Sequence, residues 1–350
     1  MCAVTGVGAA VGGVDFVAGL EKVLEERGVP AVGGAVFTAE RVMVKAATGV
    51  RRRGEHAEVT VDDRWHLGSC TKAMTGTLAA VAVERGELEW GSTLGEVLGT
   101  RVGRMHEGYE DVTLERLMAN RGGVAGRVQA GLLGELRRGG APGRRQRIEL
   151  MKVMLAVEPA EGYVYSNSGI TAAGVMVEQA GKKAWERLIT ERVFDVLGMG
   201  SAGFGAPGEP RKLDGPWGHG GDGRAVRPGP GGDNPAAIGP AGTVHASIGD
   251  WAKFGMAHLA QDARLLRVGS WEVLHTVRGG EAYAHGWSFS SLDGETLLAH
   301  TGSNTMWYAK IWLVQAKGWG VLAVSNDGAA RGREACQDVI DIGLRMHRGE

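Results

Sequence analysis

The sequence predicts a mixed α/β (α+β) fold: an antiparallel sheet built from both chain termini, with flanking helices and an inserted, mainly helical lobe. Two observations support this prediction. Apolar runs typical of strands lie near both ends of the 350-residue chain, whereas helical periodicity dominates its middle. We therefore expect residues 1–68 and 281–350 to form an α/β lobe, residues 69–280 to form a mainly helical lobe, and a cleft to lie between them.

The elements nearest the termini carry the clearest patterns. Residues 15–27 place Phe16, Leu20 and Val23 on one helical face behind Asp15, a candidate cap. The other predicted terminal elements are strands over 31–37, 41–49, 297–300, 308–314 and 319–326, and a helix over 333–347. Glycine reaches 59 residues and concentrates in 198–242, which predicts a long loop.

Charge and cysteine content exclude several function classes. Lys and Arg total 39 against 40 Asp and Glu, so the net charge of -1 provides no general attraction to nucleic acid. The basic stretches 51–53 and 137–147 are predicted to be solvated loops. The three cysteines fit neither a disulfide framework nor a metal motif, and no apolar run is long enough to span a membrane. We expect no metal, cofactor, nucleic-acid partner or membrane insertion.

The N-terminal residues lack a basic segment followed by an apolar run. As given, the sequence therefore predicts a cytoplasmic protein, or a periplasmic one if a leader was removed. No feature of the sequence specifies an oligomeric state.

The first chemical motif is HLGSCTKAMTG, residues 66–76, in which Ser69 stands three positions before Lys72 at the predicted start of a helix. Residues three apart share a helical face, so the amine can reach the hydroxyl. The backbone N–H groups there favour developing negative charge. The pair is a candidate nucleophile and base, although a capping serine and a solvated lysine are ordinary alternatives. Cys70 is turned away by about 100° and is predicted to pack inside.

The second motif is Tyr165-Ser166-Asn167, just before another helical pattern. A phenol beside an amine can act as a general base or relay, and the Asn167 amide can hold a substrate carbonyl or the lysine. The alternative is a turn in which Tyr165 packs and Asn167 caps the helix.

The third motif is His300-Thr301-Gly302-Ser303, at the end of a predicted edge strand. His300 and Thr301 can face a ligand there, and the Ser303 N–H can be an oxyanion donor opposite that of Ser69. The alternative is a strand running into a turn. Chance occurrence of all three motifs in one chain of this composition is expected at roughly 0.002.

The order SxxK, YxN, HTG resembles the serine β-lactamase and penicillin-binding superfamily, in particular its class C β-lactamase, D,D-peptidase and family VIII carboxylesterase branch. The segments 112–126 and 240–254 are also similar to that branch. The resemblance implies a β-lactamase/transpeptidase-like fold with the site between the lobes. The resemblance also implies that Ser69 is acylated and that Lys72 and Tyr165 transfer protons, in an order that the motifs leave open. It implies that Asn167 contacts the substrate and Lys72. Residues 300–303 would form the far wall of the site, and the N–H groups of Ser69 and Ser303 would form the oxyanion hole.

Two departures from the branch affect the expected activity. ANRGG, residues 119–123, replaces the usual His-Thr-Ser-Gly, and His300 replaces the lysine typical of class C β-lactamases. Neutral histidine binds a β-lactam carboxylate poorly above its usual pKa of about 6.5. Arg331 or Arg333 could supply the positive charge that binds the carboxylate. The alternative is that both arginines are solvated on the surface. Trp217, Trp287 and Trp307 are hypothesised to form an apolar wall for the acyl group.

The sequence thus predicts a serine hydrolase that acts through a Ser69 acyl-enzyme on small esters or amides. A carboxylesterase-like activity with weak or no β-lactamase activity is the main interpretation. The alternatives are a D,D-peptidase, penicillin-binding protein or class C-type β-lactamase, and a non-catalytic ligand-binding relative.

Overall fold

Strands from both ends of the chain meet in one sheet in the computed structural model, which describes residues 11–126, 128, 131–277 and 282–350. The strands in chain order are β1 (Ala31–Thr38), β2 (Val42–Gly49), β3 (Arg64–His66), β4 (Gly203–Phe204), β5 (Gly218–His219), β6 (Ala225–Val226), β7 (Val244–Ser247), β8 (Tyr283–Ala284), β9 (Trp287–Leu292), β10 (Glu295–Ser303), β11 (Tyr308–Val314) and β12 (Trp319–Ser325).

The main sheet has seven strands in the order β2-β1-β12-β11-β10-β9-β8. Every neighbouring pair in it is antiparallel. The predicted sheet built from both termini is therefore confirmed. The sequence patterns missed β8 and β9, because their alternation is interrupted by a tight turn. Two small sheets, β3-β7-β4 and β5-β6, lie outside it.

Helices supply most of the remaining core. They are α1 (Val11–Arg27), α2 (Thr71–Glu84), α3 (Leu94–Leu98), α4 (Leu114–Met118), α5 (Leu132–Arg138), α6 (Gly143–Met154), α7 (Asn167–Gly181), α8 (Trp185–Ile189), α9 (Asp195–Leu197), α10 (Gly239–Gly242), α11 (Ile248–Ala260), α12 (Val268–Leu274) and α13 (Ala330–Arg348). The two terminal helices, α1 and α13, pack together on one face of the sheet. Helix α11 packs against the other.

Small residues in β1 allow helices to approach the sheet closely from both sides. A Cβ on Gly33 would lie 2.7 Å from a methyl carbon of Ile248, and a Cβ on Gly34 would lie 2.7 Å from one of Val339. Because neighbouring strand residues point to opposite faces, the two glycines serve one face each. Larger side chains would push α11 and α13 away from the sheet.

Strand β10 places the third motif, and its position corrects the predicted edge strand. It lies inside the sheet, with β9 on one side and β11 on the other. Pairing with β9 ends at Ala299, however, whereas pairing with β11 continues to Ser303. Residues 300–303 therefore pair with β11 on one side and have no strand neighbour on the other, although β10 as a whole lies inside the sheet.

The middle of the chain is mainly helical, as predicted, but one basic stretch differs from its prediction. Residues 137–147 were expected to form a solvated loop, whereas α5 and α6 include most of them. Arg147 is fully buried, and its guanidinium donates to Glu178 (2.6 Å) and Glu186 (2.8 Å). A buried cation needs such partners, and α7 and α8 provide them.

The long glycine-rich segment 198–242 has few regular elements, and its last turn is α10. The division into lobes at 68/69 stays a prediction, and the boundary at 280/281 lies outside the described residues.

Candidate active site

Ser69 lies in a 3₁₀ turn, Gly68–Cys70, that leads directly into α2. Its neighbour Gly68 has φ +50°, and a Cβ there would lie 2.4 Å from the Ser303 nitrogen. A Cβ on Gly302 would lie 2.0 Å from the Leu67 carbonyl oxygen and 2.8 Å from the Ser69 nitrogen. Only glycines permit this backbone contact. The Ser69 and Ser303 N–H groups, which are predicted to form an oxyanion hole, therefore lie on two backbone segments that are in contact with each other.

A histidine and an aspartate that sequence reasoning missed support this turn. The Gly68 N–H donates to His66 Nδ1 (3.0 Å), and His66 Nε2 is 2.5 Å from Asp233 Oδ1. Since Nδ1 accepts, Nε2 carries the proton and donates to the carboxylate. Trp307 stacks on the His66 ring at 5.7 Å between ring centroids. His66 is close to Ser69 in sequence, but no sequence signal indicated Asp233.

Lys72 is fully buried one turn after Ser69. Its Nζ lies 2.9 Å from Ser69 Oγ and 2.8 Å from the carbonyl oxygen of Ala241 in α10. Burial lowers the pKa of Lys72 to about 7, because an ammonium loses its hydration there. An amine that is partly neutral at neutral pH can accept a proton from the serine hydroxyl.

Tyr165 lies across Lys72, with the lysine Nζ 4.9 Å from the centre of its ring. The residue is 42% exposed. Desolvation of the phenol raises the pKa of Tyr165 to about 12, although a hydrogen bond with Ser69 opposes that rise. The phenol is therefore protonated at neutral pH and can donate. Cys70 is buried as predicted, and burial raises the pKa of its thiol.

Asn167 is the first residue of α7, and its Oδ1 is buried without a hydrogen-bond partner among the described residues. The expected contact between Asn167 and Lys72 is therefore not made in this structure. The lysine donates to Ala241 instead. The unpaired oxygen is available for a substrate N–H.

Asn120, in the segment where the sequence departs from the related branch, holds the Tyr165 loop in place. Its Oδ1 accepts from the Ser166 N–H (3.0 Å), and its carbonyl accepts from the Val164 N–H (2.8 Å). Its φ of 57° is one that asparagine tolerates better than most residues. Sequence reasoning left the role of this segment undetermined, since the contacts join residues 46 apart.

His300 is buried and neutral. Its Nδ1–H donates to the Thr301 carbonyl (2.7 Å), and its Nε2 accepts from the Tyr283 hydroxyl at 3.1 Å. Burial first, and then the charge of Lys72, lower the pKa of His300 to about 3. The sequence-based expectation that this position lacks a cation agrees with these contacts. Thr301 itself is exposed.

The aromatic side chains at the cleft differ from those predicted. Trp287 and Trp307 are fully buried in the core, so the hypothesis that they rim the cleft is wrong. Trp217 is half-buried and lies under the Arg52 guanidinium. Three tyrosines, namely Tyr163, Tyr165 and Tyr283, cluster there instead, with ring centroids 6.1 and 6.4 Å from Tyr283.

The two candidate arginines have different environments. Arg331 pairs with Asp327 at 2.5 Å and is therefore already neutralised. Arg333 is exposed, and its charge acts on the Tyr308 hydroxyl, which also interacts with Thr301. Of the two, Arg333 is the one available to a bound anion.

The described residues contain neither a metal-binding cluster nor a membrane-spanning helix. No group of three or more His, Cys, Asp or Glu side chains is arranged to hold a metal ion. No described helix combines the length and apolar character needed to cross a membrane.

The arrangement suits acyl transfer. The chain is also similar in sequence or in fold to several known proteins. Penicillin-binding protein 4 of Amycolatopsis lactamdurans is 26% identical over 326 residues, which cover 87% of this chain and 83% of that protein. The D-alanine carboxypeptidase AmpC from Burkholderia cenocepacia has a TM-score of 0.75 at 20% identity, covering 95% of this chain and 99% of its own. A D-stereospecific amidohydrolase from Streptomyces sp. has a TM-score of 0.72 at 21% identity, covering 93% and 98%.

The solved structures confirm the β-lactamase/transpeptidase fold expected from the sequence motifs. The family model described as Beta-lactamase matches residues 16–343, which is nearly the whole chain. The chain therefore belongs to the beta-lactamase family.

Proposed function

We propose that this protein is a serine amidase or peptidase that cleaves an amide bond next to a D-amino acid through a Ser69 acyl-enzyme. The observation that carries the proposal is the 2.9 Å distance between Ser69 Oγ and the buried amine of Lys72. The similar proteins include a penicillin-binding protein, a D-alanine carboxypeptidase and a D-stereospecific amidohydrolase, which favours amide over ester substrates. The carboxylesterase-like activity expected from the sequence has no such support.

In the proposed acylation step, Lys72 takes the Ser69 hydroxyl proton while Oγ attacks the substrate carbonyl. The carbonyl oxygen becomes an anion that the N–H groups of Ser69 and Ser303 stabilise. The C–N bond then breaks, and the Tyr165 hydroxyl donates its proton to the departing amine and is reprotonated by Lys72. Water completes the cycle by attacking the ester. Lys72 is the first base in this scheme because its pKa is about 7, whereas that of Tyr165 is about 12.

Recognition of a free substrate carboxylate is proposed to rest on Thr301 and Arg333. His300 is neutral and engaged with Tyr283, so it offers no charge. Burial raises the pKa of Tyr308, and a hydrogen bond with Thr301 and then the charge of Arg333 oppose the rise, so both residues act on one hydroxyl. A carboxylate there gains a hydroxyl donor and a cation. This arrangement suits a peptide with a free C-terminus.

The test is hydrolysis of a dipeptide ending in D-Ala-D-Ala and of its all-L counterpart, together with intact-protein mass after incubation with a penicillin. We expect D-selective turnover and a penicilloyl adduct on the wild-type protein, and neither on Ser69→Ala. Ser290→Ala, which changes an exposed serine of β9, is the matched control and should behave as wild type. Full turnover by Ser69→Ala would rule out the proposal. Hydrolysis of simple nitrophenyl esters without any amide cleavage would favour the esterase instead.

A further inference from the structure

A cavity of about 470 Å³ lies between α5, α6 and the loop segments 204–206 and 229–236. None of the eight residues predicted for the catalytic site lines it. Its volume is in the range of pockets that hold small molecules. We call it the Gln146 cavity, after the buried side chain that faces it.

Two polar atoms of the Gln146 cavity lack partners among the described residues. Gln146 is 7% exposed, and its Nε2 donates to the Ala141 carbonyl, whereas its Oε1 accepts nothing. Arg137 donates from Nη2 to the Asp233 carbonyl, whereas its buried Nε–H has no acceptor. Leaving such groups unpaired costs about 1–3 kcal/mol each, so a ligand or water that pairs with them gains that energy.

The other walls restrict the chemical class of the ligand. Phe204, Ala206, Pro230 and Pro235 are apolar. Glu186 is acidic, but both of its oxygens already accept from Arg147. A ligand therefore needs a small apolar body, one donor for Gln146 Oε1 and one acceptor for Arg137 Nε–H.

A neutral amide meets these requirements with one functional group. Its N–H would pair with Gln146 Oε1, and its carbonyl oxygen would pair with the Arg137 Nε–H. A carboxylate would pair with Arg137 but would place its second oxygen near the acceptors of Gln146 and Asp233. An ammonium would lie beside the Arg137 cation. Amides are therefore favoured over either charged class.

The cavity is also connected to the nucleophile. Asp233, one of its wall residues, accepts from His66 at 2.5 Å, and His66 accepts from the Gly68 N–H at 3.0 Å. Arg137 also donates to the backbone carbonyl of Asp233, so a ligand bound to Arg137 would affect the position of Asp233. Movement of Asp233 is thus transmitted through two hydrogen bonds to the turn that carries Ser69.

We propose that the Gln146 cavity binds a neutral amide of about dipeptide size, and that its occupancy changes the rate at which Ser69 is acylated. The effect on the acylation rate rests on the proposed function. Amide binding does not, because binding is measured on protein that lacks the nucleophile.

The probe is N-acetyl-L-alaninamide, whose L configuration is opposite to that of the proposed substrate, titrated calorimetrically into Ser69→Ala protein. N-acetyl-L-alanine, which carries a carboxylate, is the paired probe. We expect the amide to bind at least about tenfold more tightly than the acid, and Gln146→Met to weaken amide binding about tenfold by removing the unpaired acceptor. Gln179→Met changes a partly buried glutamine outside the cavity and should leave the dissociation constant unchanged.

Ala206→Phe, which adds a ring at the cavity wall and keeps the Gln146 side chain, provides a second variant should Gln146→Met unfold. It should abolish binding while the protein keeps its thermal unfolding temperature. In the protein with Ser69 intact, saturating amide should change the penicillin acylation rate, and Ala206→Phe should remove that change. No saturable binding to the Ser69→Ala protein, or equal binding with and without Ala206→Phe, would overturn the proposal and leave the cavity as a water-filled space.

Discussion

Lys72 is the residue whose chemistry depends most on its surroundings. It is held by Ser69 and Ala241 in a fully buried position, and burial brings its pKa to about 7. The neutral amine, which is the form able to act as a base, predominates above that pH and is lost as the pH falls below it.

We therefore predict that the acylation rate constant rises about tenfold per pH unit below pH 7 and is level above it. Stopped-flow acylation by a penicillin, started by a brief pH jump between pH 5 and 9, measures this profile. Lys72→Met should lose the profile together with most of the rate. A midpoint near 10, the pKa of a solvated lysine, would contradict the assignment of Lys72 as the base.

Arg333 permits a test of substrate recognition at the same scale. Arg333→Gln is predicted to raise KM about tenfold for peptides with a free C-terminal carboxylate and to leave amide-capped peptides unchanged, because only the former carry the charge. Arg345→Gln, an exposed arginine farther along α13, is the control. An equal effect on both peptides would show that Arg333 acts on folding or on the reaction step instead.

Among the larger elements, the loop before α7 depends on a residue of another loop. Ser166 caps α7 by accepting from the Gly169 N–H, and its own N–H donates to Asn120. Tyr165 is the residue immediately before this anchored position. The placement of the phenol is thus set by the contact between residues 120 and 166.

Replacement of Asn120 should separate two effects. Asn120→Ala and Asn120→Gly both remove the side-chain acceptor, and we predict that both lower kcat by about tenfold or more as Tyr165 shifts. Asn120→Ala should also lose about 1–2 kcal/mol of stability, because alanine is strained at φ 57° and glycine is not. Turnover and thermal unfolding of both variants provide the comparison. Full kcat in Asn120→Gly would show that the Ser166 hydrogen bond does not position Tyr165.

Across the whole molecule, buried histidines are kept neutral by directed hydrogen bonds. Gln315 donates to His275, His275 to His258 (2.8 Å), and His258 to Thr77 (3.1 Å). The Thr77 hydroxyl donates to the Ala73 carbonyl of α2. This chain joins α2, α11, α12 and the turn after β11, and Gln315 Nε2 also donates to the His258 carbonyl (3.2 Å). Adding a proton to either histidine would place two donors face to face.

The buried histidines, inside this network and outside it, predict marked acid lability. Burial lowers the pKa of His275 to about 3, that of His300 to about 3 and that of His245 to about 4, against about 6.5 when unfolded. Below pH 6.5 the unfolded chain binds protons that the folded chain does not, so stability is complete above 6.5 and falls towards the folded pKa values. Each such histidine costs about 1.4 kcal/mol per pH unit in that window.

Denaturant unfolding between pH 8 and 4 should therefore show falling stability below pH 6.5. His275→Gln, which can still accept from Gln315 and donate to His258, should reduce the slope. A stability that does not change down to pH 4.5 would contradict the prediction.

Much of the fold could be read from local patterns. The terminal strands have strong apolar periodicity, and their observed bounds lie close to those predicted, as in β2. Helix α1 begins at Val11, so Asp15 lies inside the helix and is not the cap that the sequence predicted. The pairing of Arg147 with two glutamates could not be predicted from local patterns. The glutamates lie 31 and 39 residues away, and only the packing of the helices brings them to Arg147. The buried tryptophans were misplaced for the same reason: sequence position near the motifs does not specify which side of the sheet a side chain faces.

By itself, the sequence determined the family and the sheet built from both termini, and it predicted which residues carry the chemistry, because motif order and periodicity are properties of the chain. Only the tertiary structure decided how those residues behave. The pKa of Lys72, the support of Ser69 by His66 and Asp233, and the pairing of His300 with Tyr283 depend on the atoms that surround each group. Burial and hydrogen bonding in a folded protein join residues far apart in sequence, so only the three-dimensional arrangement specifies them.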